Sequence, residues 1–400
     1  MSGRRASALM IGALAITQTA GYGILYYAFS VFITPMSRDL HAGVAEITGA
    51  ITVAVLVSAL VAPAVGRRLD RRGGRGLMTA GAVLGAAAVL AWSQVQSVLQ
   101  LYLVCAALGV ASAMVLYEAA FAVIVAWFDA ARRARALLAV TVVAGFASSI
   151  FLPLTGLLVE RYGWRQALVI LAAGYALAAV PLHALAVRSR PTPPHAGRRE
   201  IVGAALRERP FWLLAAAFLT QTGAVAVMGV LLVTYLIALG HRPVFAATVA
   251  GLLGVLSVTG RLVTTGLQAR WRVSLITAAM FAMQGAAALL LPLVGRSTAG
   301  AVGSVVLFGL GFGVGTIARP ALLADRYGTA AYGSLSGALA LPITVAKALA
   351  PLIAAGMAQA AGYGVVMGAV AACCGLGALS LVAYDRRGRT RPASGHEHVR

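Results

Sequence analysis

Residues 66–75 read GRRLDRRGGR, five arginines and one acid within ten positions. Apolar runs at about 45–65 and 77–94 flank this stretch. A charged knot between two runs of bilayer length reads as a loop at a membrane surface. Working outward, the same alternation recurs along all 400 residues. The chain is 60% hydrophobic and 11% charged, with a mean hydropathy of +0.89. Twelve apolar runs stand out, at about 8–35, 45–65, 77–94, 98–127, 136–159, 165–187, 211–239, 244–268, 273–293, 298–324, 331–356 and 363–384. Inside hydrocarbon a backbone must satisfy its own hydrogen bonds, so each run is expected to be a helix. The expected fold class is an all-α membrane protein. The run at 8–35 is too long for a secretory leader and no small-residue cleavage site follows it.

The net charge of +21 could suggest a nucleic-acid partner, but the placement of the charges argues otherwise. With the N-terminus in the cytoplasm, the outside loops hold only Arg38, Arg161, Arg165, Arg242 and Arg296, while nearly all other arginines fall inside. That asymmetry is the positive-inside signal, and it puts both termini in the cytoplasm of a plasma (inner) membrane protein. No nucleic acid is expected as a partner. Cys105, Cys373 and Cys374 lie in spans without metal or disulfide spacing, so no cofactor and no metal are expected.

The longest internal loop, RSRPTPPHAGRREIVGAALRERP at 188–210, is rich in Pro and Arg and separates six spans from six. The expected organisation is a bundle over 1–187, a cytoplasmic linker over 188–210, a second bundle over 211–385 and a tail over 386–400. Gln18-Thr19-Ala20 in the first span matches Gln221-Thr222-Gly223 in the seventh. GRRLDRRGGR after the second span is paralleled by GRLVTTGLQAR (260–270) at the eighth. Such repeats are a transporter device that puts a central site near the midplane and lets halves rock around it.

With these residues in view, the whole chain resembles the major facilitator superfamily. Gly66, Asp70, Arg71, Gly73 and Arg75 are similar to its signature between helices two and three. The resemblance implies twelve helices in two pseudo-symmetric six-helix bundles, with Asp70 and the arginines latching the bundles at a cytoplasmic gate. A carboxylate among guanidiniums can exchange partners as such a gate opens. A narrower resemblance, over residues 127–168, is to the monocarboxylate-porter and oxalate/formate-antiporter branch. It rests on Trp127-Phe128, Arg132 to Arg135, Gly145 to Ser149 and Gly163-Trp164-Arg165. The helix-one pattern of animal monocarboxylate carriers is absent here, where the region reads QTAGYGILYYAFSVF (18–32).

Charges inside spans are costly, about 2.5–3.5 kcal/mol each at a helix centre, so they read as functional. Lys347 is the only lysine of the chain and lies within LPITVAKALAP (341–351). Arg261 sits on a polar stripe with Ser257, Thr264, Thr265 and Gln268 at helical spacing. The oxalate/formate resemblance implies that the arginine of helix eight and the lysine of helix eleven bind a carboxylate. A guanidinium grips a carboxylate through two parallel bonds, and an ammonium is a compact point charge. Gln18, Tyr22 and Tyr26 recur at helical steps in the first span and either line a cavity or pack between helices. Glu118 is the only carboxylate well inside a span and is the candidate proton carrier; a fixed structural anion is the other reading. Arg319, near the cytoplasmic end of span ten, is assigned to structure or gating. Gly309, Gly311, Gly313 and Gly315 lack nucleotide-loop spacing and read as close helix contact.

These readings converge on a secondary active transporter, not an enzyme, that moves a small organic anion by alternating access. Proton symport and anion exchange stay open. The expected partners are a mono- or dicarboxylate, protons and membrane lipid, and the expected state is a monomer. Two rivals stand beside it: a proton-coupled exporter of drugs or metabolites, and a membrane sensor that moves nothing.

Overall fold

A computed structural model describes residues 3–188 and 198–388. The middle of the expected linker, 189–197, and the tail from 389 lie outside the described residues. The described residues are helical throughout, with no strand among them. Eleven helical stretches are long and apolar enough to cross a bilayer. One of them, Arg132–Leu185, has 54 residues. At 1.5 Å per residue it would reach about 80 Å, far beyond a hydrocarbon core of about 30 Å. It breaks at Gly163, whose φ of 74° and ψ of 164° suit a residue without a side chain. The stretch is therefore two spans, and the total is the twelve that the sequence predicts.

The chain forms two compact units, residues 1–202 with 323–348, and residues 203–322 with 349–400. The boundaries differ from the linker-based ones in one respect: the segment 323–348 belongs with the first unit.

In the first unit the opening span is α1 (Gly3–Tyr22), a π-helical turn at Gly23–Tyr27, and α2 (Phe29–Asp39). It is followed by α3 (Val44–Arg72), α4 (Gly74–Trp92), α5 (Val98–Val115), α6 (Tyr117–Trp127), α7 (Ala130–Ala144) and α8 (Ala147–Leu185). The short α9 (Arg198–Arg207) leads out of it. Helix α3 packs on α5, α4 on α5 and α8, and α1 on α7 and α8. Trp92 anchors the core. Its ring lies 5.2 Å from those of both Phe29 and Phe32, and its Nε1 reaches the Met36 sulfur at 3.1 Å. Aromatic pairs at that spacing add to plain area burial. The Gly-Trp-Arg motif is structural here. Gly163 makes the turn, and Arg165 stacks over Trp164 while bonding the Ser93 carbonyl at 2.9 Å and the Asp39 carboxylate at 2.8 Å.

The second unit holds α10 (Arg209–Ala238), α11 (Pro243–Leu267), α12 (Val273–Val294), α13 (Thr298–Phe312), the start of α14 (Val314–Tyr327), the end of α15 (Tyr332–Ala361) and α16 (Tyr363–Gly388). Helix α16 packs on α10 and α12, and α13 on α11 and α12. Buried Asp385 is held by Arg272 at 3.3 Å and by the Ser274 hydroxyl at 2.7 Å. Gln284 donates to the Phe308 carbonyl at 3.1 Å and accepts from Gln221 at 3.4 Å.

Spans four and ten, each a single run in the sequence, are both broken. The first breaks at Leu116 in extended geometry, and the second at Gly313 between α13 and α14. Interrupted helices are how transporter cores expose backbone groups at membrane depth.

Candidate functional site

The signature stretch closes α3 and divides into two faces. Gly66, Leu69, Asp70, Gly73 and Gly74 are buried, while Arg67, Arg68, Arg71, Arg72 and Arg75 are exposed. Gly73 ends the helix with φ 74°, its N–H donating to the Leu69 carbonyl at 2.8 Å. That positive φ explains the glycine at this place. Asp70 points inward. Its carboxylate accepts from the Gly333 N–H at 2.8 Å, the Ser334 N–H at 2.8 Å and the Ser334 hydroxyl at 2.6 Å. These are first-turn donors of α15, which have no partner within their own helix. An acid at a helix N-terminus also faces the positive end of the helix dipole. The approach is close: a side chain at Gly66 would run into the Gly333 carbonyl, and one at Gly337 into the Ala62 carbonyl. Nearby, Arg133 meets Asp325 at 3.4 Å, and the Trp127 indole donates to the Arg188 carbonyl at 2.9 Å.

Of the residues assigned to a gate, Gly66 and Asp70 meet the start of α15, while Gly73 ends α3. Arg71 does not: it has no hydrogen-bond or ion-pair partner among the described residues. Arg319 is half-buried on α14 in the second unit. The sequence reading missed Gly333 and Ser334. Their only signal was a Gly-Ser pair at the head of span eleven.

Within the next turn of α15, a second group of contacts begins in the first unit. Ser336 donates its hydroxyl to Glu118 at 2.7 Å, and Glu118 lies in the first turn of α6, just past the break at Leu116. Tyr117 stacks on Phe121 at 4.8 Å and faces Tyr22 at 4.6 Å. Tyr22 neighbours Tyr27 at 6.5 Å, and Tyr27 neighbours Tyr26 at 5.2 Å. Lys347 ends this aromatic chain, its Nζ 5.3 Å from the centre of the Tyr26 ring. An ammonium within about 6 Å of a ring face is attracted by the ring quadrupole. Lys347 is exposed, and among the described residues no carboxylate pairs with it. The structure thus links Tyr22, Tyr26 and Lys347 through a chain of ring contacts, with Glu118 next to Tyr117 at its far end, three turns from Lys347 along α15. Tyr26 and Tyr27 close the π-helical turn Gly23–Tyr27, which helical periodicity alone did not indicate.

Gln18 lies between helices. It is fully buried and donates to the Val115 carbonyl at 2.6 Å, where α5 stops. It satisfies a backbone acceptor freed by the helix break. Arg261 is likewise buried, in the second unit, with its Nε donating to the Gly313 carbonyl at 3.3 Å. Gly313 ends α13, so Arg261 braces the break in span ten. The alternate glycines there sit against neighbours, Gly309 against Leu256, Gly311 against Gln284 and Gly315 against Gln221.

Twelve bilayer-length helices, breaks at matched spans of two repeats, and a buried carboxylate clasping the head of another helix define a multi-pass membrane transporter. The chain belongs to the Major Facilitator Superfamily, whose family model matches residues 14–341. It is a transporter and not an enzyme. Among solved structures it is similar to the human organic anion transporter MFSD10 (TETRAN), with a TM-score of 0.72 at 13% identity over 95% of this chain and 100% of that one. It is also similar to a bacterial homologue of the iron transporter ferroportin in the outward-facing state, with a TM-score of 0.77 at 14% identity over 96% of this chain and 100% of that one. At such identities the likeness is one of fold.

Proposed function

We propose that this protein is a secondary active transporter of a small organic anion, a mono- or dicarboxylate, that binds at Lys347. The observation that carries the reading is the ammonium itself. It is the sole lysine of the chain, set in an apolar helix, exposed, and faced by an aromatic ring instead of a carboxylate. A cation kept at that cost without a fixed counter-ion is poised for a negatively charged cargo. Tyr22 and Tyr26 supply apolar walls with hydroxyl donors, the composition that suits a small organic acid. The name of one structural neighbour, an organic anion transporter, agrees with this charge preference. The other neighbour named here is related to an iron transporter, but among the described residues no three His, Cys, Asp or Glu side chains gather as a metal cargo would need.

Glu118 serves as the proton carrier in a symport version of the cycle, since it shares α15 with the cargo site through Ser336. Asp70 is the gate: alternating access requires the segment 332–348 to leave and rejoin the first unit, and the three bonds to Asp70 hold it in place. Arg261 acts as a brace of the span-ten break. Both termini are cytoplasmic, in the plasma membrane, as the arginine bias implies.

The test is uptake of a carboxylate panel into proteoliposomes by wild type, Lys347→Ala and Lys347→Arg. Lys347→Ala is expected to abolish uptake of the transported acid at unchanged expression, and Lys347→Arg to retain part of it. Wild-type uptake of neutral or cationic compounds only, or full activity of Lys347→Ala, would refute the anion reading and favour the exporter. Ligand binding without flux would favour a sensor.

A further inference from the structure

The signature stretch has a second face that the gate does not use. On the outer side of α3, Leu60, Ala64, Arg67 and Arg71 follow one another at three- and four-residue steps, as do Ala64, Arg68 and Arg72 beside them, so the six share one broad stripe. Leu60 is 67% exposed and Ala64 is exposed, as a surface turned toward acyl chains would be. The four arginines continue the stripe over the last two turns and enclose, with Ala64, a cleft of about 290 Å³. None of the four has a hydrogen-bond or ion-pair partner among the described residues. Asp70, the acid within the same turns, points the other way and is held by Gly333 and Ser334. Elsewhere in the chain arginines do find acids, as Arg133, Arg165 and Arg272 do.

We infer that this stripe is a binding site for the headgroup of an anionic phospholipid. The sequence runs from apolar to fourfold basic along one helix face, within about 18 Å from Leu60 to Arg72 at 1.5 Å per residue. That is the profile of a single lipid, with tails alongside Leu60 and the phosphate within the guanidinium cleft. Arginine suits the task because its planar fork donates two parallel bonds to phosphate oxygens. A topology signal needs only net positive charge in the loop. It does not require four guanidiniums on one stripe with the acid turned away. The bound lipid touches the same two helical turns that hold Asp70, so it loads the gate from behind.

The site is tested by native mass spectrometry of the purified full-length protein. Dioleoyl phosphatidylglycerol is titrated against dioleoyl phosphatidylcholine, with a parallel arm in which free glycerol phosphate competes. Wild type is expected to bind the anionic lipid at least tenfold more tightly. Replacing Arg67, Arg68, Arg71 and Arg72 together by Gln should remove the preference, at roughly fivefold per arginine, the equivalent of about 1 kcal/mol each near an anionic surface. The matching fourfold Lys variant keeps the charge but not the fork and should retain part of the preference. A charge-matched control, Arg135, Arg207, Arg209 and Arg270 to Gln, should leave it intact.

Equal binding of both lipids by wild type would overturn the inference. So would a loss in the control as large as in the stripe variant, because the effect would then be diffuse charge. Displacement of the lipid by free glycerol phosphate at equal concentration would assign the cleft to soluble phosphates. Full retention of the preference by the Gln variant would overturn the inference as well.

Discussion

Replacing Asp70 by Asn asks how firmly the head of α15 is held. The carboxylate accepts three bonds, from the Gly333 N–H, the Ser334 N–H and the Ser334 hydroxyl, at 2.6–2.8 Å. Bonds to a charged acceptor contribute about 1.5–3 kcal/mol each. An asparagine keeps one acceptor oxygen; set where Oδ2 lies, it retains both Ser334 bonds and turns its NH₂ toward the Gly333 N–H, so one of the three is lost. The expected cost is roughly 1.5–3 kcal/mol, a factor of about ten to a hundred at 1.4 kcal/mol per decade. Gly333 and Ser334 report this directly. As first-turn amides their protection comes from Asp70, whereas Leu335 bonds the Ala331 carbonyl at 3.0 Å within its own chain segment. Residue-resolved hydrogen exchange should therefore show Gly333 exchanging at least about tenfold faster in Asp70→Asn, with smaller changes at Ser334 and Leu335. Exchange at the Gly333 amide within about twofold of wild type would refute the reasoning.

Further outcomes follow from single contacts. Gly337→Ala places a methyl against the Ala62 carbonyl and the Pro63 Cα, an overpacking cost of about 1–3 kcal/mol. Thermal unfolding in detergent should drop for it, but not for Gly356→Ala on the same helix, where nothing lies within 4 Å. Gln18→Ala leaves the Val115 carbonyl without its 2.6 Å donor and should cost about 1–3 kcal/mol in the same assay. Tyr26→Ala removes the ring under Lys347, worth about 0.5–1 kcal/mol, so substrate affinity should weaken about two- to fivefold while Tyr26→Phe stays near wild type. Glu118→Gln should abolish proton-driven uptake and spare substrate exchange in proteoliposomes; loss of both, or of neither, counts against the proton role.

Much of this site was legible before any coordinates. Lys347 stood out because a lone ammonium in an apolar run is expensive, and Asp70 because an acid among five arginines is conspicuous. What Asp70 holds was not legible. Its partners are backbone N–H groups some 260 residues away, and a peptide group carries no identity in the sequence. Gln18 and Arg261 illustrate the same gap. Spacing leaves Gln18 either on a cavity or between helices, and resemblance implies a carboxylate at Arg261; in the structure both are buried with a bond to a backbone carbonyl at a helix break. The break at Leu116 has no Pro or Gly to announce it. The glycines around 313 did announce the second as a place of close packing.

The sequence by itself determined that the chain crosses a bilayer with twelve helices in two related sets. Hydrocarbon admits no unpaired backbone, so apolar length alone dictates helix. Tertiary structure decided which polar groups are spent on holding the fold and which are left to act. That division depends on distances of about 3 Å between residues far apart in the chain, a scale on which hydrogen bonds form or fail and which no periodicity records. So the same ten residues that revealed the family also conceal two faces, an acid turned in on α15 and four guanidiniums turned out, and only the fold tells them apart.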